Sequence, residues 1–309
     1  MRKALSQAFQ AARLTVGCKL NLHLTIAGVL DNGYHSLKTL FYYLPAPSDI
    51  IEIEPGEPGE GLRLFCPGFP ELETKDNILA RTYELFSAQC GARHDITVTL
   101  HKNIPMGAGL GGGSADAAAL LAWLNRCAGN ENSLDNEALV SLAARLGADV
   151  PFFVYIDKNK GAKAAWGQGI GEKLTPAEIT ELTGLYLLLV FPPVGVSTAW
   201  AYAAWDKLAL KQQSSDAFFA PEHLTSAEPE DKYPHAQALR LYNSFEAVVF
   251  PEYAELRHIK ERLLRSGAAA ALMSGSGSTL FGLFRNQDKA QESAAGFQRE
   301  NCNCILQRL

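Results

Sequence analysis

Apolar and polar residues alternate from Leu14 to Ile26. Val16, Cys18, Leu20, Leu22, Leu24 and Ile26 share one parity; Thr15, Lys19, Asn21, His23 and Thr25 share the other. A period of two is that of a half-buried strand, and it sets Lys19, Asn21 and His23 side by side on one polar face. Asp31-Asn32-Gly33 is a turn signal, after which Tyr34 and His35 open a second strand, Leu37 to Leu44. Short strands follow at Ile50–Glu54 and Leu62–Phe65. Asp76-Asn77 precedes a helical pattern from Ile78 to Gln89, which Gly91 ends. Asp95–His101 alternates cleanly again and predicts a strand with one polar face.

Helices are predicted over Ala115–Asn125 and Ser133–Leu146, the second stopping at Gly147. Pro151 biases Val150 toward an extended backbone, which leaves Asp149 just past a helix end. Its neighbours Ala148, Val150, Phe152 and Phe153 are apolar, as suits a buried or cleft-lining acid. Beyond it come a glycine-punctuated stretch (Trp166–Glu172), a fully apolar strand (Leu185–Phe191) and a helix from Ala199 to about Leu208. Gln212–Lys232 is polar and acidic and reads as a connection. Two helices (Gln237–Val249 and Tyr253–Ser266), a strand (Leu280–Phe284), a helix (Gln287–Gln298) and a strand (Cys302–Leu306) close the chain. The pattern is α+β: a β-rich first half and a β/α second half, dividing near Tyr155–Lys163.

The element order leaves one connection that ordinary turns do not explain. Between the Asp95–His101 strand and the next helix runs Asn103-Ile104-Pro105-Met106-Gly107-Ala108-Gly109-Leu110-Gly111-Gly112-Gly113-Ser114-Ala115-Asp116. Glycines let backbone amides approach a ligand closely, and a helix start adds amides of its own, so the stretch reads as a phosphate site. Gly107, Gly109 and Gly112 also satisfy the dinucleotide-binding spacing. That fold needs a strand buried on both faces before the loop and a parallel strand after its helix. Here the preceding strand has a polar face and a second helix follows. Gly-Lys-Ser/Thr is absent, which removes the Walker loop. A second Gly/Ser loop, Met273–Thr279, is another candidate anion contact.

Composition changes this picture little. The 309 residues are 47% apolar and 20% charged, with a net charge of −5; nothing points to a nucleic-acid or membrane partner. Six scattered cysteines lack Cys-x-x-Cys spacing, so no disulfide framework or zinc site is indicated. The longest apolar run, Leu185–Phe191, is too short to cross a bilayer. Arg2, Lys3 and Arg13 read as a short basic extension rather than a transit peptide, and a cytoplasmic protein is expected. A glycine cradle, a strand lysine and a cleft aspartate suggest phosphoryl transfer, which needs positioning and charge stabilisation. The lysine would steady the transferring group and the aspartate would take the hydroxyl proton.

Three stretches, Pro105–Asp116, Leu146–Phe153 and Met273–Thr279, resemble the GHMP small-molecule kinases and occur in that family's order. Lys19-Leu20-Asn21, Asp31–His35, Leu146–Phe153 and Val196-Ser197-Thr198 resemble its branch acting on 4-diphosphocytidyl-2-C-methyl-D-erythritol. The resemblance implies a ribosomal-S5-domain-2-like N-terminal domain (1–160) that binds ATP and a ferredoxin-like C-terminal domain (161–309) that binds substrate. It implies ATP and Mg2+, with ATP's phosphates in Pro105, Met106, Gly107, Ala108, Gly109, Leu110, Gly111, Gly112, Gly113, Ser114 and Ala115. Lys102 would lie nearby, Ser114 would face magnesium or phosphate oxygens, and Asn77 would line the nucleotide pocket. No residue is expected as a dedicated metal ligand. Lys19 and Asp149 would be the catalytic pair. Tyr34 and His35 would form the cytidine site with Tyr202 as the opposing ring; Asn21, Thr198, Gly275 and Gly277 would complete the substrate side. The acceptor would be a small cytidyl-diphosphate molecule, phosphorylated on its 2-hydroxyl by a monomer or weak homodimer. Two departures are Gly17-Cys18 where the family has Pro-Ala, and Ser278 where it has Pro. Homoserine or mevalonate as acceptor, or a non-catalytic nucleotide-binding module, are the alternatives.

Overall fold

The computed structural model describes residues 11–91, 93–213 and 241–309. The basic residues Arg2 and Lys3, most of the Gln212–Lys232 stretch and the start of the expected Gln237–Val249 helix lie outside them. Two sheets stack face to face, each with helices on its outer side, so the chain forms four layers of α+β structure.

The first sheet is built on a long hairpin. Strand β1 (Ala12–Val29) pairs antiparallel with β2 (His35–Pro55), Ala12 opposite Ile53 and Val29 opposite His35. The two strands expected at Leu37–Leu44 and Ile50–Glu54 are thus one. Pro45 and Pro47 interrupt the pattern without breaking the strand, because they fall between its two outer partners. Thr39–Tyr42 pairs with β5 (Ala164–Gln168), and Ile50–Pro55 pairs with β4 (Ile96–His101). A proline is tolerated where no ladder bond is required. Strand β3 (Leu62–Phe65) lies parallel to β4, β6 (Lys173–Ala177) closes a hairpin with β5, and β8 (Tyr242–Asn243) runs parallel beside His23–Leu24 of β1. The glycine-punctuated stretch is therefore a hairpin, and it carries the first sheet across the expected 160/161 division.

Helices α1 (Ile78–Cys90), α2 (Gly112–Cys127), α3 (Gly129–Asn132), α4 (Asn136–Leu146) and α5 (Val150–Lys158) belong to this first half. Ile51, Ile53, Val98, Phe86, Leu120, Leu121, Leu142 and Phe152 share their core. Two expectations change here. The Ser133–Leu146 helix begins at Asn136, because Asp135 caps it by accepting from Ala138 N at 2.8 Å. Val150 is helical rather than extended: Pro151 lies in the first turn of α5, where its missing N–H costs no intrahelical bond.

The second sheet is antiparallel, in the order β11 (Asn303–Arg308), β7 (Tyr186–Phe191), β10 (Leu280–Phe284), β9 (Ala270–Met273). It is associated with α6 (Thr198–Gln213), α7 (Glu246–Glu252), α8 (Ala254–Arg265) and α9 (Gln287–Arg299). Among the described residues of the expected Gln237–Val249 helix, Tyr242 and Asn243 are drawn into the ladder with β1 and helix runs from Glu246. β7 is apolar throughout because both faces are covered. Leu188 and Val190 enter the helix-side core, whereas Leu187 and Leu189 meet Leu20, Leu22 and Leu40 of the first sheet. No helix among the described residues is long and apolar enough to cross a membrane.

The seam between the sheets sets the relation of the two halves. Leu189→Ala removes a side chain of zero exposure from it and is expected to cost about 2–5 kcal/mol. Urea denaturation measures this; an unchanged midpoint would mean the seam contributes no cohesion.

Candidate active site

The polar face of β1 does not meet solvent. Lys19 and Asn21 are 3% and 2% exposed, although the alternation predicted a half-buried strand. The covering comes from the glycine stretch: Lys19 N donates to Leu110 O at 2.9 Å. Ser274, in the second Gly/Ser loop, accepts from Asn21 N at 3.3 Å and donates to Gly109 O at 2.9 Å. The two loops also join directly, Thr279 N donating to Ala108 O at 3.2 Å. At Gly109 (φ +77°) a Cβ would overlap the Ser274 carbonyl oxygen, so only glycine permits this approach. Ile104, Ala108 and Leu110 point into the inter-sheet core and anchor the loop, leaving Met106 and Gly107 exposed.

Helix α2 starts at Gly112, three residues before the expected Ala115. Gly111 precedes it in the left-handed region (φ +69°) and offers no capping side chain. The first-turn amides of α2 are therefore left for a ligand, as a helix-start anion site requires. A Cβ at Gly111 would lie 3.1 Å from the Lys19 side chain, so the lysine passes directly beneath this turn.

A buried ammonium needs acceptors. The Lys19 ammonium donates to Asn21 Oδ1 at 2.5 Å and pairs with Asp149 Oδ2 at 3.4 Å. It also lies 5.9 Å from the centroid of the Phe41 ring. The Asn21 amide is oriented by a chain of bonds. Thr39 gives its hydroxyl proton to His23 O at 2.8 Å and accepts from Asn21 Nδ2 at 2.8 Å. The Asn21 carbonyl oxygen is thereby turned to Lys19. Asp149 stands at the N-terminus of α5 with its side chain 29% exposed, against 4% for that of Lys19. One member of the pair is sealed and the other opens outward. Ser114 faces the same turn, its hydroxyl 3.7 Å from where a Cβ at Gly147 would stand.

Tyr202 and His35 stack with centroids 4.3 Å apart and planes 24° from parallel. His35 Nε2 bonds to Asp206 Oδ1 at 2.7 Å. Burial, and secondarily the nearby Asp149 charge, push the Tyr202 phenol up to about 12, so it remains a hydroxyl throughout the physiological range. The structure thus joins Tyr202 to His35 directly, leaving no slot between those rings, while Tyr34 stands apart at 60% exposure. The Thr198 and Ser276 hydroxyls share a hydrogen bond of 2.8 Å. Gly277 N donates to Ser274 O at 3.0 Å, closing the second loop on itself.

Two expected nucleotide residues have structural partners. Asn77 caps α1, its Oδ1 accepting from Leu79 N and its Nδ2 donating to Leu72 O, both at 2.8 Å. The Lys102 ammonium donates to Asp49 and, at 2.9 Å, to Asp116. Sequence reading missed Thr39 and Asn243, which both reach the site. Asn243 is 3% exposed and donates to Met273 O and Gly275 O at 2.7 Å each, holding the second loop. An asparagine beside Leu241-Tyr242 was the only signal, and it lay inside a pattern that read as helix.

The chain resembles known proteins over most of its length. The GHMP kinases N terminal domain model matches residues 77–156 and the GHMP kinases C terminal model residues 230–303. A 4-diphosphocytidyl-2-C-methyl-D-erythritol kinase of Lawsonia intracellularis is 40% identical over 302 residues, 96% of either chain. The chain belongs to the GHMP kinases. A kinase of the same name from Oleidesulfovibrio alaskensis is 43% identical, over 90% of this chain and 92% of its own. A crystal structure of 4-(cytidine 5'-diphospho)-2C-methyl-D-erythritol kinase superposes with a TM-score of 0.69 at 29% identity, covering 96% of this chain and 98% of that one. Homoserine kinase from Cytophaga hutchinsonii shares the fold, with a TM-score of 0.62 at 17% identity over 98% and 96% of the two chains.

As a GHMP kinase the protein uses ATP. Gly109→Ala should part its two loops. The expected result is an apparent KM for ATP raised at least about tenfold, the equivalent of about 1.4 kcal/mol, measured by steady-state ADP release. A KM within twofold of the parent would show that the contact at Ser274 is not needed for nucleotide binding.

Proposed function

We propose that this protein transfers the γ-phosphoryl group of ATP to the 2-hydroxyl of 4-diphosphocytidyl-2-C-methyl-D-erythritol, a step in making isoprenoid precursors. The observation that carries the mechanism is the Lys19–Asp149 pair, 3.4 Å apart, set beside the helix start that the glycine loop leaves uncapped. The acceptor is supported by the names of full-length relatives at 40–43% identity.

In this reading the amides of the loop and of the first turn of α2 hold the terminal phosphates. Asp149 accepts the proton of the attacking hydroxyl. The new bond forms from that oxygen to the γ-phosphorus as the bond to the β,γ-bridging oxygen breaks. Lys19 offsets negative charge on the transferring group; being sealed on one side by Asn21 and Phe41, it needs little reorganisation. Among the described residues no three His, Cys, Asp or Glu side chains cluster as a metal site. The Mg2+ we assign would take most of its ligands from the triphosphate and water, with the Ser114 hydroxyl as the protein oxygen offered to it. Bound so, it would add positive charge beside the phosphates.

On the acceptor side, Asp206 accepts the Nε2 proton of His35, and in a neutral ring Nδ1 is then the acceptor. The exocyclic amine of cytosine is a donor that matches it. Tyr34 supplies the open aromatic face for the base, and Tyr202 backs His35. We assign nucleotide binding chiefly to the 1–160 half and acceptor binding to the 161–309 half, with Tyr34 and His35 crossing that division. We place the enzyme in the cytoplasm.

A coupled ADP-release assay should show turnover with the cytidyl acceptor and none with mevalonate or homoserine. Asp149→Asn is expected to lower kcat by about 10²–10⁴; retained turnover would remove Asp149 as the base. Tyr34→Ala is expected to raise the KM for the cytidyl acceptor roughly tenfold, from loss of base stacking, while the KM for ATP stays within twofold. An unchanged acceptor KM would remove Tyr34 from the base site.

A further inference from the structure

Beneath the phosphate loop lies a charged cluster that the proposed reaction does not use. Asp49 has no exposure, the Asp116 side chain is 1% exposed and that of Lys102 is 6% exposed. Asp49 comes from β2, Lys102 follows β4 and Asp116 lies in α2, so three elements meet at one ammonium. The two acids are not equivalent. Asp49 Oδ1 accepts Asn103 N at 2.6 Å and Ile104 N at 2.8 Å, the two amides that lead into the glycine loop, while its Oδ2 takes Lys102. Asp116 takes Lys102 through Oδ2 alone, and its Oδ1 is buried without a hydrogen-bond partner. Lys102 itself sits under the loop's exit, 3.3 Å from where a Cβ at Gly112 would stand.

From this arrangement we propose that Asp49 is the positioning residue of the phosphate loop: it fixes the loop's entrance through two amides and its exit through Lys102, which serves as a structural cation rather than as a ligand of ATP. The inference rests on the kinase reading given above. A carboxylate is required at Asp49 because only an acceptor on both oxygens serves two amides and an ammonium together. An amide there would turn an NH2 group toward Lys102. At Asp116 the second carboxylate exceeds the charge of the single lysine. Burial pushes its acid up to about 7, Lys102 opposing and Asp49 reinforcing the rise. Burial also works against the Lys102 ammonium, yet Asp116 and Asp49 more than offset it and hold the amine above its usual range. The substitution Asp116→Asn would keep the one acceptor that Lys102 uses and shed the surplus charge.

The same chemical change at the two acids therefore has opposite expected outcomes. Asp49→Asn should raise the KM for ATP at least tenfold and leave the KM for the cytidyl acceptor within twofold, whereas Asp116→Asn should leave both within twofold. The double variant Asp49→Asn/Lys102→Met removes the mismatched pair together and should show an ATP KM no higher than that of Asp49→Asn. If Asp49→Asn does not fold, the double variant is compared with the parent, and a normal ATP KM overturns the proposal. It is equally overturned if Asp49→Asn binds ATP normally, if Asp116→Asn matches Asp49→Asn, or if the Lys102 change multiplies the Asp49 effect, which would make Lys102 an independent nucleotide contact. A parent protein without turnover on the cytidyl acceptor would defeat the kinase reading instead, so the two failures are distinct.

Discussion

A lysine sealed inside a protein must be met by fixed acceptors, because the desolvated ammonium is otherwise too costly to keep charged. Lys19 is in that position, and its neighbours follow from the need. Asn21 turns its carbonyl oxygen to the ammonium because Thr39 has taken the other end of the amide. Asp149 arrives from the far end of α4 to supply the charge. The segments that cover the lysine are the glycine stretch, through Leu110, and the second loop, through Ser274. The interaction that holds Lys19 thus also gathers the parts of the site.

The covering works only because the two loops can touch. Gly109 approaches the Ser274 backbone at a distance no side chain would allow, and the Ser274 hydroxyl then bonds both to that loop and to β1. Asn243 fixes the second loop from behind, and Asp49 does the same for the first. Each loop is glycine-bearing backbone anchored by a buried polar side chain from another element, Asp49 through Asn103 N and Ile104 N and Asn243 through Met273 O and Gly275 O. That division suits anion binding: the backbone stays close and unencumbered at the centre, while its geometry is set from outside.

The proposed acceptor side is built differently, from rings rather than loops. His35 is locked by Asp206 and Tyr202 together, and Tyr202 in turn lies close enough to Asp149 to feel its charge. The residues proposed to read the base and those proposed to react are therefore connected through one tyrosine. The fold relatives that carry homoserine kinase or mevalonate kinase names share the layers at 11–17% identity, which speaks to the architecture alone.

Much of this was legible in the residues. Period-two alternation determined β1 and β4, the apolar run determined β7, and five crowded glycines marked the phosphate loop, because these signals are local. Each depends on the backbone's own geometry or on which face a side chain takes. What the chain order could not convey was depth and company. Alternation put Lys19 and Asn21 on a polar face but could not say that two loops would bury it, since that burial comes from segments far along the chain. The hairpin β5–β6 and the strand at Tyr242–Asn243 exist because β2 and β1 offer free edges to them. The resemblance sets Lys102 near ATP's phosphates, and in space it is a buried ion-pair partner, because Asp49 and Asp116 reach it from other elements. The residue types and their local backbone were determined by sequence alone; which polar groups are sealed, and against whom, was decided by the packing of two sheets and two loops.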